Sequence, residues 1–447
     1  MAAANVLVTL DFFGLNTALP SIGKELGGDT QSLQWIANIY LLALAAPLVA
    51  AGRIGDLVGR RTVCLIGLVV FAAGSAASAA SESLGVLFVS RGVTGLGAAM
   101  ITATALAIVD SSFPPERRSF AIGVWSSVGA VGSAIGPLLG GLVTEVLSWR
   151  WFFVLAVPFV LVCAVVTAAW VEESRDTTAA RTFDLAGTVT ITFGLAGVVF
   201  GLVRGPDAGW ADQLVLSSLF VGVVLLVLFV VAERRAAVPL VNLKLFERPQ
   251  FLSPATVAFV ANAAFGVTML YMTLYLQNER HLSPIETGIV FLALTIPLAV
   301  MSPYVGRAVP VIGARVLMTV GCTFLVASFA AFALIGARTG LLLVIAGLIL
   351  AGIGQALAFN VSNIASLAAV PDSQVGVASG AINGVRQVGT LVGLAIAGAV
   401  FNAFDEPESA FLHALRPTMI TIGAICLLTI PFALRRSALE RGAAPRS

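Results

Sequence analysis

The sequence is short of charge. Only 11% of its 447 residues are charged, while 58% are hydrophobic and the mean hydropathy is +1.00. Because a soluble domain carries about 25% charged residues, this composition excludes an ordinary soluble domain and indicates a protein of the lipid bilayer. The net charge of +2 and the lack of a basic tract argue against a nucleic-acid partner. Lys24 and Lys244 are the only lysines, and this bias toward arginine indicates a GC-rich bacterial genome.

Reactive and metal-binding motifs are also missing. The four cysteines lie singly in apolar runs, so the sequence predicts neither a disulfide framework nor a metal site. There is no GxxxxGK[ST] phosphate loop, which argues against ATP as the energy source. No Ser/His/Asp or HExxH arrangement indicates an enzyme, and no cofactor is predicted. His281 and His413 fall in predicted outer loops, so a histidine proton relay inside the membrane is not expected.

Long apolar runs are what the sequence has in abundance. A run of about 20 apolar residues is long enough to cross the hydrocarbon core as a helix. Counting runs between polar breaks predicts an all-α polytopic membrane protein with about fourteen spans. The runs are 5–24, 33–52, 62–81, 84–110, 119–145, 150–171, 185–203, 213–232, 252–276, 286–306, 313–335, 339–369, 376–403 and 411–434.

The distribution of arginine predicts how these spans are oriented. An even number of spans places both termini on one side of the membrane, and the loops on that side hold most of the arginines. Cytoplasmic loops are enriched in basic residues. Both termini are therefore predicted to be cytoplasmic, in the plasma membrane of a bacterium.

The chain repeats itself. The segment "RGVTGLGAA" (91–99) aligns with "LILAGIGQA" (348–356), and "GRIGDLVGRR" (52–61) aligns with "GRAVPVIGAR" (306–315) at a slightly shorter separation. Repetition at a nearly constant offset indicates duplication, and duplicated halves around a midplane site are typical of secondary transporters. The aligned glycine pairs are Gly95 with Gly352, Gly97 with Gly354, Gly123 with Gly380, Gly132 with Gly389 and Gly136 with Gly393.

This duplication predicts the domain organisation. Residues 1–175 and 251–435 are two six-helix bundles, and residues 176–250 are a linker that carries two inserted transmembrane helices. Residues 436–447 are a cytoplasmic tail. Because neither bundle has a counterpart of the inserted pair, the pair is expected at the periphery.

Several motifs resemble one family. "GRIGDLVGRR" resembles the signature loop of the major facilitator superfamily, and "GSAIGPLLGG" resembles the GxxxGPxxGG motif of its antiporters. "LDFFGLNTALP" and "RGVTGLGAA" are similar to the first-helix and fourth-helix motifs of the fourteen-helix drug:proton antiporters. The resemblance covers the whole chain and implies the major facilitator fold with proton-coupled export. The chain departs from the pattern at Phe13, Leu57, Thr94 and Pro310.

The residues of the signature loop also predict a physical role, apart from the resemblance. Glycine permits a sharp turn and close backbone approach, and Asp56 can accept hydrogen bonds from a helix N-terminus or from Arg117 or Arg118. Such a contact would hold the cytoplasmic side in one conformation. The alternative is an ordinary basic loop at the cytoplasmic face. The predicted gating residues are Gly52, Asp56, Gly59, Arg60, Arg61 and Arg118.

The glycines of "GSAIGPLLGG" predict a close helix contact. Glycines four residues apart fall on one helix face, where a partner helix can approach closely. Proline removes a backbone donor and bends the helix. A tight seam between helices of the two halves would seal the protein against proton leak; the alternative is a generic small-residue contact. The residues are Gly132, Gly136, Pro137, Gly140 and Gly141.

Asp11 and Arg91 are the charges that need a reason. A charge at the bilayer centre costs about 3 kcal/mol on insertion scales, so its presence there is a hypothesis of function. A buried carboxylate near an arginine can exchange a proton for a cationic substrate, because the two stabilise opposite protonation states. The alternatives are a structural carboxylate at Asp11 and an Arg91 side chain that snorkels to the outer interface.

Further polar and aromatic side chains are candidates for a substrate cavity. A buried amide forms a hydrogen bond between helices as often as it contacts a ligand. A purely structural role therefore stays open for each of these candidates. For Arg386, pairing with a helix-end carbonyl is an equal alternative. The candidates are Asn16, Asn38, Tyr40, Asn262, Tyr271, Gln355, Asn360 and Arg386.

The sequence therefore predicts a monomeric exporter of lipophilic cationic drugs or toxic metabolites, driven by the proton gradient. Its partners are the small-molecule substrate, protons and membrane lipids. A dedicated exporter of one metabolite or antibiotic on the same fold is the first alternative. An uptake symporter and a non-transporting scaffold or sensor are the others.

Overall fold

The computed structural model describes residues 1–45, 47–114, 128–129, 132, 135–175, 184–236, 243–336, 340–370, 375–404 and 411–434. Regular structure in these ranges is helical throughout, without a strand. In this described part of the chain, twelve helices are long and apolar enough to cross a membrane. The chain is thus an all-helical, multi-pass membrane protein, as its composition predicts.

The helices follow the predicted spans closely. In the first part of the chain they are α1 (Ala2–Leu26), α2 (Thr30–Ala45), α3 (Leu48–Val58), α4 (Arg60–Ala79), α5 (Leu84–Ser112), α6 (described over Ile135–Val146), α7 (Trp149–Trp170), α8 (Leu185–Ala208) and α9 (Gln213–Arg235). A 3-10 turn (Leu243–Leu245) precedes α10 (Pro249–Leu274), which continues into a π turn (Tyr275–Glu279). The remaining helices are α11 (Pro284–Ile312), α12 (Ala314–Ala333), α13 (Leu341–Ala368), α14 (Val375–Phe404) and α15 (Phe411–Ala433).

Two details differ from the predicted spans. The run 33–52 is not one straight helix: Pro47 separates α2 from α3, and the two axes are bent by 42°, because proline cannot continue the backbone hydrogen bonding of a helix. Counted as one bent span, this pair raises the total to thirteen. Much of the predicted span 119–145 lies outside the described residues, so the count of fourteen stays a prediction.

The described residues form two compact units. The first comprises Met1–Ala196, Gly222–Leu240 and Leu276–Ile289, and the second comprises Gly197–Val221, Val241–Tyr275 and Val290–Ser447. Each unit takes in parts of the inserted pair, so the predicted bundle boundaries at residues 175 and 251 stay a prediction.

Glycine contacts inside the two units repeat. In the first unit, a Cβ atom at Gly95 of α5 would lie 2.4 Å from the carbonyl oxygen of Tyr40 on α2. In the second, a Cβ atom at Gly352 of α13 would lie 2.2 Å from the carbonyl oxygen of Leu294 on α11. The glycine pair aligned in the sequence therefore makes the same kind of backbone contact in both units.

The inserted helices form an antiparallel hairpin along a glycine seam. Gly187, Gly194 and Gly201 recur every seven residues on α8, and each faces α9. Their nearest side chains on α9 include Glu233, Leu226 and Leu219, in reverse order along the chain. Most of the apolar side chains of α9 are exposed, as expected for a helix whose outer face meets lipid.

We expect Gly95→Ala and Gly352→Ala to destabilise the protein by about 1–3 kcal/mol, because each new methyl group overlaps a backbone carbonyl that cannot move aside cheaply. Gly85→Ala and Gly384→Ala are matched controls in α5 and α14, since a Cβ atom there meets nothing within 4 Å. Thermal unfolding of the purified protein in detergent measures all four variants. Equal stability of Gly95→Ala and Gly85→Ala would contradict the close packing of α2 on α5.

Candidate functional site

A buried ion pair joins α1 to α5 in the first unit. Arg91 Nη1 donates to Asp11 Oδ2 at 2.8 Å, and the side chains of Arg91 and Asp11 are 0% and 1% exposed. The structure therefore brings the two predicted coupling residues together across 80 positions of sequence. Because Arg91 is fully buried, its side chain does not snorkel to an interface.

Aromatic rings surround the guanidinium. The Cζ atom of Arg91 lies 4.2 Å from the ring centroid of Tyr40 and 5.7 Å from that of Phe153. Phe12, adjacent to Asp11, stacks on Tyr40 with a centroid separation of 6.2 Å. A cation over an aromatic face gains electrostatic attraction, and the gain grows when water is excluded. These rings stabilise the arginine whether or not Asp11 is charged.

The pair is incompletely satisfied. Asp11 Oδ1 and both Nε and Nη2 of Arg91 are buried without a hydrogen-bond partner among the described residues. A buried ion pair offsets its desolvation only when further hydrogen bonds satisfy the remaining lone pairs and protons. The carboxylate oxygen can therefore take up a proton or accept a hydrogen bond, and the two nitrogen atoms of Arg91 can donate to a further partner.

A narrow crevice reaches the arginine. It has no room for even a water-sized molecule, whereas a pocket for a drug-sized ligand encloses roughly 300–1,000 Å³. In this structure the crevice is therefore closed to a drug-sized ligand. It is lined by Phe12, Leu15, Asn16, Leu19, Ala37 and Arg91.

The two predicted cavity asparagines of the first unit, Asn16 and Asn38, differ in their hydrogen bonding. Asn16 lines the crevice, and its Nδ2 donates to the carbonyl oxygen of Phe12 at 2.8 Å. Asn38 on α2 is fully buried, and neither polar atom of its side chain has a hydrogen-bond partner in the described part of the chain. Such an orphaned amide is costly unless another conformation or a ligand satisfies it.

The predicted cavity residues of the second unit form a separate set. Asn360 on α13 donates to Ser302 Oγ on α11 at 3.0 Å, which fits the alternative of a polar contact between helices. Tyr271 is fully buried, with its ring 5.2 Å from that of Phe401. Asn262 donates to its own helix, and Gln355 is buried with Oε1 unpartnered among the described residues. Their role in binding substrate stays a prediction.

The signature loop, residues 52–61, contains an ion pair between two of its own residues. Arg60 Nε, at the start of α4, donates to Asp56 Oδ1 on α3 at 2.9 Å. Gly52 and Gly55 lie on α3 close to Ala103 and Thr104 of α5. Arg117 and Arg118, the predicted partners of Asp56, lie outside the described residues.

A residue that the sequence reasoning did not identify completes this loop. Glu173, just after α7, accepts hydrogen bonds from the backbone N–H groups of Arg61 and Thr62 at 3.0 and 3.1 Å. The Thr62 hydroxyl donates to the same carboxylate at 2.6 Å. Glu173 thus caps the N-terminus of α4, where a negative charge also meets the positive end of the helix dipole. An acidic residue directly after an apolar span was the available signal.

The turn before α4 requires glycine. Gly59 has a φ of 138°, in the range that L side chains rarely adopt. A Cβ atom there would also lie 2.5 Å from the Glu173 carboxyl carbon. Arg61 donates a further hydrogen bond to the carbonyl oxygen of Ala168 on α7. The loop between α3 and α4 is thereby attached to the end of α7.

The glycines of "GSAIGPLLGG" contact two helices, α1 and α11. Cβ atoms at Gly132, Gly136 and Gly140 would meet Val6, Phe13 and Gly14 of α1. A Cβ atom at Gly141 would lie 2.1 Å from the carbonyl oxygen of Pro284, at the start of α11. Pro137 and Leu138 face Gly288 of α11. These glycines thus lie against backbone atoms of α1 and α11, and a seam between the two predicted halves that blocks proton leak stays a prediction.

A second polar cluster holds the other end of the first unit together. Glu25 at the end of α1 forms an ion pair with Arg150 and accepts a hydrogen bond from Trp149 Nε1 at 2.7 Å. Arg150 also donates to the carbonyl oxygen of Ser81 at 2.9 Å, between α4 and α5. From the sequence, Arg150 is no more than a charge in an outer loop. No group of three or more His, Cys, Asp or Glu residues in the described ranges could hold a metal ion.

The environment of Glu173 predicts a pH dependence. Burial raises the pKa of its carboxyl group, but hydrogen bonds from the Thr62 hydroxyl and from the N–H groups of Arg61, Thr62 and Ser174 outweigh it and lower the pKa below 4.5. A lowered pKa in the folded state means that the carboxylate stabilises the protein above its unfolded pKa, and that this contribution is lost as the pH falls.

We therefore expect Glu173→Gln to lower the melting temperature by a few degrees at pH 7.5, and by progressively less as the pH falls below about 4.5. The effect is small because the carboxylate is largely exposed. Glu172→Gln, at the exposed neighbouring position, is the matched control. A deficit of Glu173→Gln that is the same at pH 7.5 and pH 4 would contradict the capping role.

Comparison with known proteins identifies the family of this chain. The model of the Major Facilitator Superfamily matches residues 1–394 and 254–446. The multidrug resistance protein Stp of Mycobacterium tuberculosis is 34% identical over 400 residues, which are 89% of this chain and 74% of that protein. The tetracenomycin C resistance and export protein of Streptomyces glaucescens is 33% identical over 401 residues, covering 90% of this chain and 74% of that protein.

Solved structures share the fold at low identity. A crystal structure of a POT family transporter in complex with a thioalcohol-conjugated peptide has a TM-score of 0.72 and 14% identity. The match covers 96% of this chain and 94% of the other. At this identity the likeness concerns the fold alone. With the family model matching along the length of the chain and relatives above 30% identity, the chain belongs to the Major Facilitator Superfamily.

Proposed function

We propose that this protein is a proton-coupled antiporter that exports lipophilic small molecules, with Asp11 and Arg91 as the coupling site. The observation that carries the proposal is the buried ion pair between α1 and α5, 2.8 Å long and closed off from solvent. A buried charge within a membrane span is expensive and functional by default.

The pair provides a chemical route to coupling. When Asp11 takes up a proton, the carboxyl group becomes neutral and its attraction for Arg91 is lost. Arg91 then relies on the faces of Tyr40 and Phe153, which already lie beside it. When Asp11 is ionised, it can bind Arg91 or the charged group of a substrate. Proton and substrate therefore compete for one site, which is what exchange requires.

The relatives support export of small molecules. One is named for multidrug resistance and the other for resistance to and export of tetracenomycin C. These names suggest that substrates leave the cell. A single deep carboxylate favours exchange of few protons per substrate. By charge alone it favours monovalent lipophilic cations over dications.

The orientation belongs to the same proposal. Both termini and the loop between α3 and α4 lie in the cytoplasm of a bacterium, in line with the arginine-rich loops on that side. The capping of α4 by Glu173 and the Asp56–Arg60 pair then hold the cytoplasmic end of the first unit in one arrangement. The α6 seam limits proton leak.

A dedicated exporter of one metabolite is the second candidate. The similarity to a tetracenomycin C export protein favours it, because that relative is named for one compound. Resistance of cells that express the protein to several unrelated dyes would favour a multidrug exporter. Resistance to a single compound would favour the dedicated one.

The first test is Asp11→Asn in proteoliposomes with an imposed pH gradient. We expect gradient-driven uptake of ethidium into these proteoliposomes to fall to the rate of protein-free liposomes, because asparagine cannot exchange a proton. Asp212→Asn is the matched control, since Asp212 caps α9 by accepting hydrogen bonds from Leu214 and Val215, and asparagine caps as well. Gradient-driven transport by Asp11→Asn at the wild-type rate would exclude Asp11 as the coupling site.

Stability separates coupling from a merely structural role. Removing one partner of a buried ion pair costs about 3–5 kcal/mol, because the other charge is left uncompensated. We expect Asp11→Asn alone to lower the melting temperature and the double variant Asp11→Asn, Arg91→Gln to recover much of that loss. If the double variant recovers stability and still does not transport, the pair is needed for coupling and not for folding. If it recovers both stability and transport, the pair is structural.

A further inference from the structure

The second unit contains a half-buried arginine, Arg386, that has no acidic partner among the described residues. Arg386 lies on α14, eleven residues after the first residue of that helix, inside the part of it, Ala381–Phe404, that is long and apolar enough to cross a membrane. In the described part of this unit, the acidic residues with described side chains are Asp212 and Glu247, which lie outside α10 to α15. Arg386 thus differs from Arg91, whose charge is compensated by Asp11.

The contacts of Arg386 hold it in place without neutralising it. Its Nη1 donates to Asn383 Oδ1 at 3.0 Å, one turn earlier on the same helix. The guanidinium stacks on Phe359 of α13, with its Cζ atom 3.9 Å from the ring centroid. Its Nε is buried without a hydrogen-bond partner among the described residues. One face of the guanidinium is therefore fixed by an aromatic ring, and donor capacity is left over.

The surroundings are polar and incompletely packed. Asn383, Arg386 and Gln387 lie on one face of α14, and all three side chains are half-buried. On α13, the half-buried Asn363 also has a buried, unpartnered Oδ1. A charged, polar and partly open patch inside a membrane span is more typical of a ligand site than of a helix contact.

We propose that Arg386 is an anion-binding residue that takes an acidic oxygen group of the substrate, such as a carboxylate or an ionised phenol. A guanidinium forms its strongest hydrogen bonds with negatively charged oxygens and presents several donors in a plane. Phe359 adds an apolar surface for the body of the same molecule. This inference rests on the proposed function, and it widens the substrate class to lipophilic molecules with an acidic group, with or without a cationic centre.

Equilibrium binding of three dansyl compounds tests the proposal without any gradient. Dansylglycine carries a carboxylate, dansylamide is neutral and dansylcadaverine carries an amine, while all share one fluorophore. We expect the purified full-length protein to bind dansylglycine at least about tenfold more tightly than dansylamide. Equal affinity for the two compounds in the wild-type protein would overturn the proposal, and this comparison needs no variant.

Two variants of Arg386 then locate the preference. Arg386→Gln should bind dansylglycine no more tightly than dansylamide and should leave the affinity for dansylcadaverine unchanged or raised. Arg386→Lys keeps the charge and should keep part of the preference. Arg204→Gln, an exposed arginine on α8, is the matched control and should behave as wild type. A full preference for dansylglycine in a folded Arg386→Gln protein excludes this site.

The two proposals can fail separately. Proton-driven transport depends on Asp11, whereas binding of dansylglycine at equilibrium depends on Arg386. An Asp11→Asn protein that no longer transports but still prefers dansylglycine supports both. A protein that transports under a pH gradient yet shows no preference for dansylglycine keeps the proposed function and overturns the anion site.

Discussion

Close approach of helix backbones at glycine is the constraint on which the rest of this structure depends. In a bilayer the helices gain little from hydrophobic burial against one another, because lipid tails are as apolar as leucine, so tight packing has to stabilise the bundle. Gly95 and Gly352 bring a backbone carbonyl of a neighbouring helix to van der Waals distance. The seams on α6 and between α8 and α9 use the same device.

The buried arginines of the two units are stabilised in different ways. In the first unit a carboxylate and a guanidinium compensate each other, and aromatic rings cover the arginine. In the second unit the arginine is held by an amide and a phenylalanine, neither of which carries a charge. The aligned glycine contacts of the two units are therefore not accompanied by the same charged groups. Similar packing carries a titratable pair in one unit and a fixed positive charge in the other.

Polar caps hold the helix ends of the first unit. Glu173 joins the end of α7 to the start of α4, while Glu25, Trp149 and Arg150 join α1, α7 and the turn between α4 and α5. Near the ends of membrane spans water competes for hydrogen bonds and single contacts are weak. Several donors on one carboxylate compensate for that weakness, which explains why both acidic residues accept from more than one group.

The sequence by itself determined the helical class, nearly all of the spans, the glycine register and which two charges, Asp11 and Arg91, lie within apolar spans of the first unit. These features are local: hydropathy, spacing and the cost of a charge in an apolar run can be read along the chain. Only the tertiary structure decided that Asp11 pairs with Arg91, that Glu173 caps α4 and that Arg386 has no acid beside it in the described residues. Those facts depend on which helix faces meet, and hydrogen bonds form within about half an ångström of one distance, a precision that residue spacing cannot supply.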